Sequence, residues 1–186
     1  MYQNGQGVTK SDTEAAKWYR LSADQGFAVG QTNLGFMYEN GLGVTKSDTE
    51  AVKWYRLAAD QGYAAAQSNL GFMYSTGRGV AQSDTEAVKW IRLSADQDYA
   101  AGQVRLGVMY RTGRGVTQND TEAVKLYQLA AAQGNSSAQV NLGSMYENGL
   151  GVTKNVTEAV KWYRLAAAQG NEAAKTALSR LSPGRR

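Results

Sequence analysis

The chain of 186 residues contains no cysteine and no histidine, and its one proline is Pro183. Without cysteine there are no disulfides and no thiolate chemistry, and without either residue type the common metal-ligand groupings are missing. We therefore expect no metal site, no cofactor and no catalytic residues. Hydrophobic residues make up 42% of the chain. The chain is therefore too apolar, and its sequence too regular, for a disordered protein.

Long apolar runs and strong charge are missing as well. No stretch approaches the length of a membrane span, so membrane insertion is not expected. The net charge is only +4, with a basic C-terminal half and a slightly acidic N-terminal half. Nucleic-acid binding usually needs a clustered, strongly basic face, so nucleic acid is not an expected partner. The compartment stays open, because the chain starts inside a repeat and a removed signal peptide would leave no trace.

What the chain does contain is a repeat of 36 residues. The dipeptide Met-Tyr recurs at that spacing, at Met1-Tyr2, Met37-Tyr38, Met73-Tyr74, Met109-Tyr110 and Met145-Tyr146. A fixed period of this size is typical of a solenoid, in which each repeat packs on its neighbours. The period predicts a partial repeat, four full repeats and a closing segment, at 1–26, 27–62, 63–98, 99–134, 135–170 and 171–186.

The first half of each full repeat has the pattern of an amphipathic helix. In the first full repeat this helix is predicted from about Ala28 to Asn40, with Leu34 facing the core. Gly35 lies in the middle of it, where glycine costs about 1 kcal/mol relative to alanine. Because the glycine returns in every full repeat, we expect it to permit close approach of a partner helix.

The second half of each repeat is predicted to form a second helix. It begins at Ser47 in the first full repeat, and Glu50 three residues later completes a capping box. Gly62 is expected to end the helix, whereas Asp98 stands at the same position one repeat later and makes a poorer helix end. Four tryptophans are predicted to lie in the core of these helices, at Trp18, Trp54, Trp90 and Trp162.

The repeat resembles the Sel-one-like repeat (SLR) family. The shared pattern is Ala-x-x-x-Leu-Gly-x-x-Tyr-x-x-Gly-x-Gly-Val, followed by Ala-x-x-Trp-Tyr-x-x-Ala-Ala, and it covers nearly the whole chain. The second full repeat carries it at Ala66, Leu70, Gly71, Tyr74, Gly77, Gly79, Val80, Ala87 and Trp90. The tetratricopeptide repeat, which lacks the Gly-x-Gly-Val loop and is two residues shorter, fits less well.

The resemblance implies an all-α fold and a role in binding. The family's fold is a right-handed α/α superhelix of antiparallel helix pairs, which here predicts a single solenoid over residues 1–186. Its closing helix, within 171–186, is expected to be made polar by Glu172, Lys175 and Arg180 and to stop at Pro183-Gly184. Such scaffolds bind other proteins and are often bacterial.

Positions that vary between repeats are predicted to form the partner-binding surface. With Leu34 facing the core, positions 29, 32, 36 and 39 should lie on the opposite side of the first helix. First helices line the concave surface of such a superhelix, which suggests a groove for an extended or helical peptide. The candidate residues are Val29, Thr32, Phe36, Glu39, Ser68, Phe72, Ser75, Val104, Val108, Arg111, Val140, Ser144 and Glu147.

Phe36 and Phe72 are the expected anchors of that groove. The alternative is that both simply pack between neighbouring first helices. A local positive patch is also expected, around Arg78, Arg111 and Arg114 near the loop tips.

These features favour a non-enzymatic scaffold that binds an unidentified protein or peptide. Two other functions stay open: a hydrolase on a similar scaffold, for which the sequence supplies no converging nucleophile and base, and binding of an acidic polymer by the basic C-terminal half. The N-terminal edge, with Met1, Tyr2 and Trp18, is expected to pair with another copy or to fray.

Overall fold

The computed structural model describes residues 11–181, and this part of the chain forms ten helices and no strand. The all-α prediction is confirmed, and the first helix predicted from Ala28 to Asn40 is α2. Met1, Tyr2, Pro183 and Gly184 lie outside the described residues. The helices are α1 Asp12–Asp24, α2 Ala28–Asn40, α3 Asp48–Asp60, α4 Ala64–Thr76, α5 Asp84–Ala95, α6 Ala100–Thr112, α7 Asp120–Ala132, α8 Ser136–Asn148, α9 Val156–Ala168 and α10 Glu172–Leu181.

Even-numbered helices are the first helices of the repeats, and odd-numbered helices are the second helices. The chain divides into two compact parts, an N-terminal unit that ends at Ser94 and a C-terminal unit that begins at Ala95. In the N-terminal unit α1, α2, α3 and α4 pack in succession, and in the C-terminal unit α6 to α10 do the same. None of the helices in the described residues has the length and apolarity needed to cross a membrane.

The second helices begin as the capping motif predicts. Ser47 Oγ accepts a hydrogen bond of 3.2 Å from the backbone N–H of Glu50, and Asn119 Oδ1 accepts one of 3.0 Å from Glu122. Each such cap is worth about 1 kcal/mol. The Glu50 carboxylate binds Lys53 Nζ at 2.5 Å, one helical turn further on. The start of these second helices is therefore marked by local contacts that the sequence motif predicts.

Within a repeat the two helices meet at the mid-helix glycine. A Cβ on Gly35 would lie 2.8 Å from the Tyr55 ring and 3.2 Å from the carbonyl oxygen of Ala51. Tyr55 and Leu34 are completely buried at this contact. The predicted close approach is confirmed, and it explains why a residue unfavourable in helices stands there.

In α3 and α9 the buried aromatic residue is not the tryptophan but the tyrosine that follows it. Tyr55 and Tyr127 are fully buried, whereas Trp54 is half-buried and Trp18 is 57% exposed. The prediction that the tryptophans lie in the core holds for Trp90 and is wrong for Trp18. Successive helical residues are 100° apart, so a step of one residue moves a side chain from the centre of the buried face to its flank.

The Gly-x-Gly-Val loops after α2, α4 and α8 each rest on the start of the preceding second helix. Gly79 has a φ of +66°, and a Cβ there would lie 2.2 Å from the backbone oxygen of Asp48. The next residue, Val80, packs against the cluster that contains Val52. In the C-terminal unit the loop at 151–152 lies in the same way on α7, with Val152 packed against the cluster of Val124.

Buried glutamines connect the two helices of a repeat, and Gln31 also reaches the repeat before it. Gln61 Nε2 donates to Gln31 Oε1 at 2.7 Å, and Gln31 Nε2 donates to the carbonyl oxygen of Ala23 at 3.4 Å. Gln133 and Gln103 form the same pair at 2.9 Å in the C-terminal unit. Because their amides are hydrogen-bonded, Gln31 and Gln103 tolerate burial, whereas their partners Gln61 and Gln133 are exposed. Sequence reasoning missed them, since glutamine in an amphipathic pattern is normally taken as a solvent-facing residue.

Candidate partner-binding face

The first helix α2 presents one exposed side, whereas the equivalent residues of α4 are half-buried except for the exposed Thr76. On α2, Val29, Phe36 and Asn40 are exposed and Asn33 is half-buried. These four positions fall within about 60° of one another around the helix, opposite Leu34. We call them, together with the equivalent residues of α4, the first-helix face: Val29, Asn33, Phe36, Asn40, Ala65, Asn69, Phe72 and Thr76.

This face is rotated by about 50° from the one predicted. Thr32 and Ser68, expected to be exposed, are buried, so that part of the prediction is wrong. Thr32 Oγ1 donates to the carbonyl oxygen of Ala28 at 2.8 Å, and this bond within the helix satisfies the hydroxyl and permits its burial. Asn33 and Asn69 take the surface positions instead.

The two phenylalanines differ in their surroundings. Phe36 is 41% exposed, although it is large and apolar. Phe72 is half-buried and packs against the core cluster formed by α3 and α4. Phe36 thus has the exposure expected of an anchor, while Phe72 combines a surface position with a packing role.

Beside Phe72, Arg78 reaches from the loop after α4 back to α2 and α3. Its Nη2 and Nε donate to the Asp48 carboxylate at 2.7 and 3.1 Å, and its Nη1 donates to Glu39 Oε1 at 2.8 Å. The other oxygen of Glu39 accepts a bond of 2.7 Å from the Tyr55 hydroxyl. The paired hydrogen bond from Arg78 lowers the pKa of Asp48 below its usual value.

Arg78 therefore does not contribute to a positive patch, and the prediction is wrong on this point. Two carboxylates, Asp48 and Glu39, balance its charge. What Arg78 provides is a fixed guanidinium over the ring of Phe72, with 5.9 Å between Cζ and the ring centroid. A hydrogen-bonding group and an apolar surface are thus held side by side on the N-terminal unit.

The candidate residues of the C-terminal unit are smaller or more buried. Val104 and Val108 are half-buried against the core of α7 and α8, and Val140 packs against α9 and α10. Ser144 is half-buried, and Arg111 is exposed. The N-terminal unit has phenylalanine where this unit has Val108 and Ser144. Ser75, in the N-terminal unit, is half-buried and donates to the carbonyl oxygen of Phe72 at 2.8 Å.

Glu147 is buried rather than exposed, so its predicted place on the surface is also wrong. It accepts a hydrogen bond of 2.8 Å from the Tyr163 hydroxyl and forms an ion pair with Arg180 at 2.6 Å. The pKa of Glu147 is lowered, mainly by the hydrogen bond from Arg180. Burial, reinforced by this carboxylate, raises the pKa of Tyr163. Glu147 is thus part of the packing between α8, α9 and α10.

Within residues 11–181 there is no group of three acidic side chains placed to hold a metal ion. The polar side chains just described bind one another: Arg78 binds Asp48 and Glu39, and Glu147 binds Tyr163 and Arg180. Burial raises the pKa of the Tyr127 hydroxyl to about 12, and Arg111 acts against this shift. This tyrosine is therefore a neutral core residue at physiological pH.

The Sel1 repeat model of known protein families matches this chain in five successive segments, at residues 1–27, 28–63, 64–99, 100–135 and 136–171. The chain belongs to the Sel1 repeat family. The resemblance inferred from the Leu-Gly and Gly-x-Gly-Val motifs is confirmed. No curated protein matches the chain.

Solved Sel1 repeat structures have the same fold. A Sel1 repeat protein from Oxalobacter formigenes is 37% identical, with a TM-score of 0.88 over 97% of this chain and 72% of its own. A protective antigen present in uropathogenic Escherichia coli strains, which displays the SLR fold, is also 37% identical, with a TM-score of 0.81 over 97% of this chain. This chain spans only 38% of that antigen's length.

A more distant structure, an immunity protein from Pseudomonas aeruginosa, is 22% identical and shows the fold alone, with a TM-score of 0.67 over 99% of this chain and 70% of its own. The structural neighbours are bacterial, as the resemblance implied. Sel1 repeats commonly serve as protein-interaction scaffolds and are generally non-catalytic.

Proposed function

We propose that this chain is a non-enzymatic interaction module that holds a segment of a partner protein on the first-helix face of its N-terminal unit. The observation that carries the proposal is the 41% exposure of Phe36 on a helix whose opposite side is fully buried at Leu34. Large aromatic side chains that lie exposed and close to polar groups are typical centres of protein interfaces.

The chemistry of the face fits a peptide. Phe36 and Phe72 offer apolar area, and the side-chain amides of Asn33 and Asn69 both donate and accept hydrogen bonds, as a peptide backbone requires. Three of the five N–H donors of Arg78 are used by Asp48 and Glu39. The remaining donors point to recognition of a carbonyl or carboxylate oxygen beside the Phe72 ring.

A random peptide library selected on the wild-type chain tests the proposal. We expect selected peptides to carry apolar residues and to lose at least about tenfold in affinity with Phe36→Ala, because burial of an aromatic side chain is worth about 1.5–3 kcal/mol. Leu57→Ala is the matched control, since Leu57 is also a large exposed apolar residue, at 48%, but lies on the second helix α3.

Equal affinity of the selected peptides for wild type and Phe36→Ala would contradict the proposal. If that binding also falls steeply with salt, the result would favour an acidic ligand held by the basic C-terminal half.

A further inference from the structure

Four polar residues around Glu39 satisfy one another in the N-terminal unit. Arg78 donates to Glu39 at 2.8 Å and to Asp48 at 2.7 Å, and the Tyr55 hydroxyl donates to Glu39 at 2.7 Å. The side chain of Glu39 is 16% exposed, so the group lies at the surface of the unit. The equivalent positions two repeats later, all in the C-terminal unit, hold Arg111, Asp120, Tyr127 and Leu150.

In the C-terminal unit these positions leave two buried polar atoms unsatisfied. Arg111 stands where the other unit has Glu39, and Leu150 stands where it has Arg78. Among the described residues none forms a hydrogen bond with the Tyr127 hydroxyl or with Asp120 Oδ1, although both atoms are buried. Such atoms are rare in folded proteins, and a ligand that supplies the missing bond is one explanation for them.

What the Tyr127 hydroxyl needs is an acceptor. Burial keeps it protonated, with a pKa of about 12, so the hydroxyl has a proton to donate. Arg111 lies close enough to act on this pKa, but a guanidinium only donates hydrogen bonds. Arg111 therefore cannot take the role that Glu39 has beside Tyr55.

A carboxylate from outside the chain would restore the set of groups seen in the N-terminal unit. There, one arginine lies between two carboxylates, since Arg78 binds both Asp48 and Glu39. Arg111 and Asp120 supply one charge of each sign, so one further carboxylate gives the same balance. Arg111 is exposed, and exposed side chains change rotamer within nanoseconds, so it can move to admit a ligand to the hydroxyl beside it.

We propose that Tyr127 and Arg111 form a binding site for a carboxylate ligand, either an acidic side chain or the end of a peptide chain. The hydroxyl and the guanidinium both donate to the carboxylate, as Tyr163 and Arg180 do to Glu147. The site lies in the C-terminal unit, so it does not depend on the function proposed above for the N-terminal unit.

Titration of the wild-type chain with three blocked tripeptides, followed by NMR, tests the site. N-acetyl-Gly-Glu-Gly-amide has a side-chain carboxylate, N-acetyl-Gly-Gln-Gly has one at its chain end, and N-acetyl-Gly-Gln-Gly-amide has none. With at least one of the first two peptides we expect saturable shifts of the Arg111 Nε–H signal and of amides around Tyr127, and the peptide that binds identifies the source of the carboxylate. Amides around Tyr55 should not shift, because Glu39 already fills the equivalent place.

Variants separate this site from general attraction to positive charge. Tyr127→Phe should weaken binding of the carboxylate peptide about tenfold, because a hydrogen bond to a charged group is lost. Arg111→Glu should abolish binding, since its own carboxylate then faces the hydroxyl. Lys125→Glu is the control with the same change of charge, because Lys125 is exposed on α7 in a pair with Glu122. It should bind as wild type does.

The stability of the tyrosine variants gives a second readout. Tyr55→Phe loses the bond to Glu39 and should lower Tm, whereas Tyr127→Phe removes a hydroxyl without an acceptor and should leave Tm unchanged or higher. An equal fall in Tm for both variants overturns the proposal, because the Tyr127 hydroxyl would then already have a partner. So does the absence of shifts with both carboxylate peptides, the same shifts with the peptide that has none, or binding that Tyr127→Phe leaves unchanged.

Discussion

The N-terminal and C-terminal units have the same framework and different surfaces. Leu70 and Leu142 are completely buried, and so are Tyr55 and Tyr127. On the first helices, however, Phe36 and Phe72 of one unit correspond to Val108 and Ser144 of the other. The framework fixes the buried positions and leaves the outer side of each first helix free to change, so specific recognition is to be sought where the units differ.

Each unit also holds a glutamate carboxylate with an arginine, but the arginine comes from a different repeat position in each unit. Glu39 is held by Tyr55 and by Arg78, which comes from a loop. Glu147 is held by Tyr163 and by Arg180, which stands on α10 at the repeat position of Phe36. The requirement is a cation beside the carboxylate, and the repeat pattern does not dictate which residue supplies it.

The shared framework predicts equal and large losses in both units. Leu70→Ala and Leu142→Ala each remove a fully buried side chain and are each expected to cost about 2–5 kcal/mol. Urea unfolding measures the free energy of unfolding of each variant. A loss below about 1 kcal/mol for either one means that the two units do not have the same core.

A smaller effect is expected to separate the two phenylalanines of the N-terminal unit. Phe72→Ala should cost about 2 kcal/mol, below the roughly 3–5 kcal/mol of a fully buried aromatic residue, because Phe72 is half-buried. Phe36→Ala should change stability by less than about 1 kcal/mol, since much of its ring is already in solvent. Thermal unfolding measures the stability lost by each variant. A larger loss for Phe36→Ala than for Phe72→Ala would mean that Phe36 is part of the core.

The Glu147 contact of the C-terminal unit predicts a pH dependence. Its pKa is lowered in the folded protein, mainly by Arg180, so the stability gained is present above the pKa of an unfolded glutamate and is lost as pH falls through the folded value. Arg180→Ala should therefore lower Tm at pH 7 and differ little from wild type at pH 3.

The control for this effect is Lys175→Ala, on the same helix, because the Lys175–Glu172 pair is solvent-exposed. It should leave Tm nearly unchanged at both pH values. A Tm difference between Arg180→Ala and wild type that is as large at pH 3 as at pH 7 would show that Arg180 acts through packing and not through the charge of Glu147.

The sequence predicts the helices far better than the face they present. The bounds of α2 follow from the period and from the glycine at its end, both of which are local signals. The orientation of the face depends on the burial of Thr32 and Ser68, which simple polarity does not foresee. The contact between Glu39 and Arg78 joins residues 39 positions apart, and a pattern within one repeat does not contain that information.

The smallest effect concerns the helix ends, where Gly62 of the N-terminal unit corresponds to Asp98 of the C-terminal unit. Asp98 has a φ of +58° and is the one described residue other than glycine with positive φ. This conformation costs an L-residue roughly 1–2 kcal/mol, against which the hydrogen bond that Asp98 accepts from Gln103, at 3.3 Å, is worth about 0.5–1 kcal/mol.

We therefore expect Asp98→Gly to raise the free energy of unfolding slightly, by about 0.5–1 kcal/mol, in urea unfolding. Asp98→Asn should lie close to wild type, because asparagine tolerates this conformation and keeps the oxygen that faces Gln103. The reverse change, Gly62→Asp, should destabilise the N-terminal unit. If Asp98→Gly is less stable than wild type, the bond to Gln103 contributes more than the strain, and the aspartate is a better end for this helix than the glycine of the other repeats.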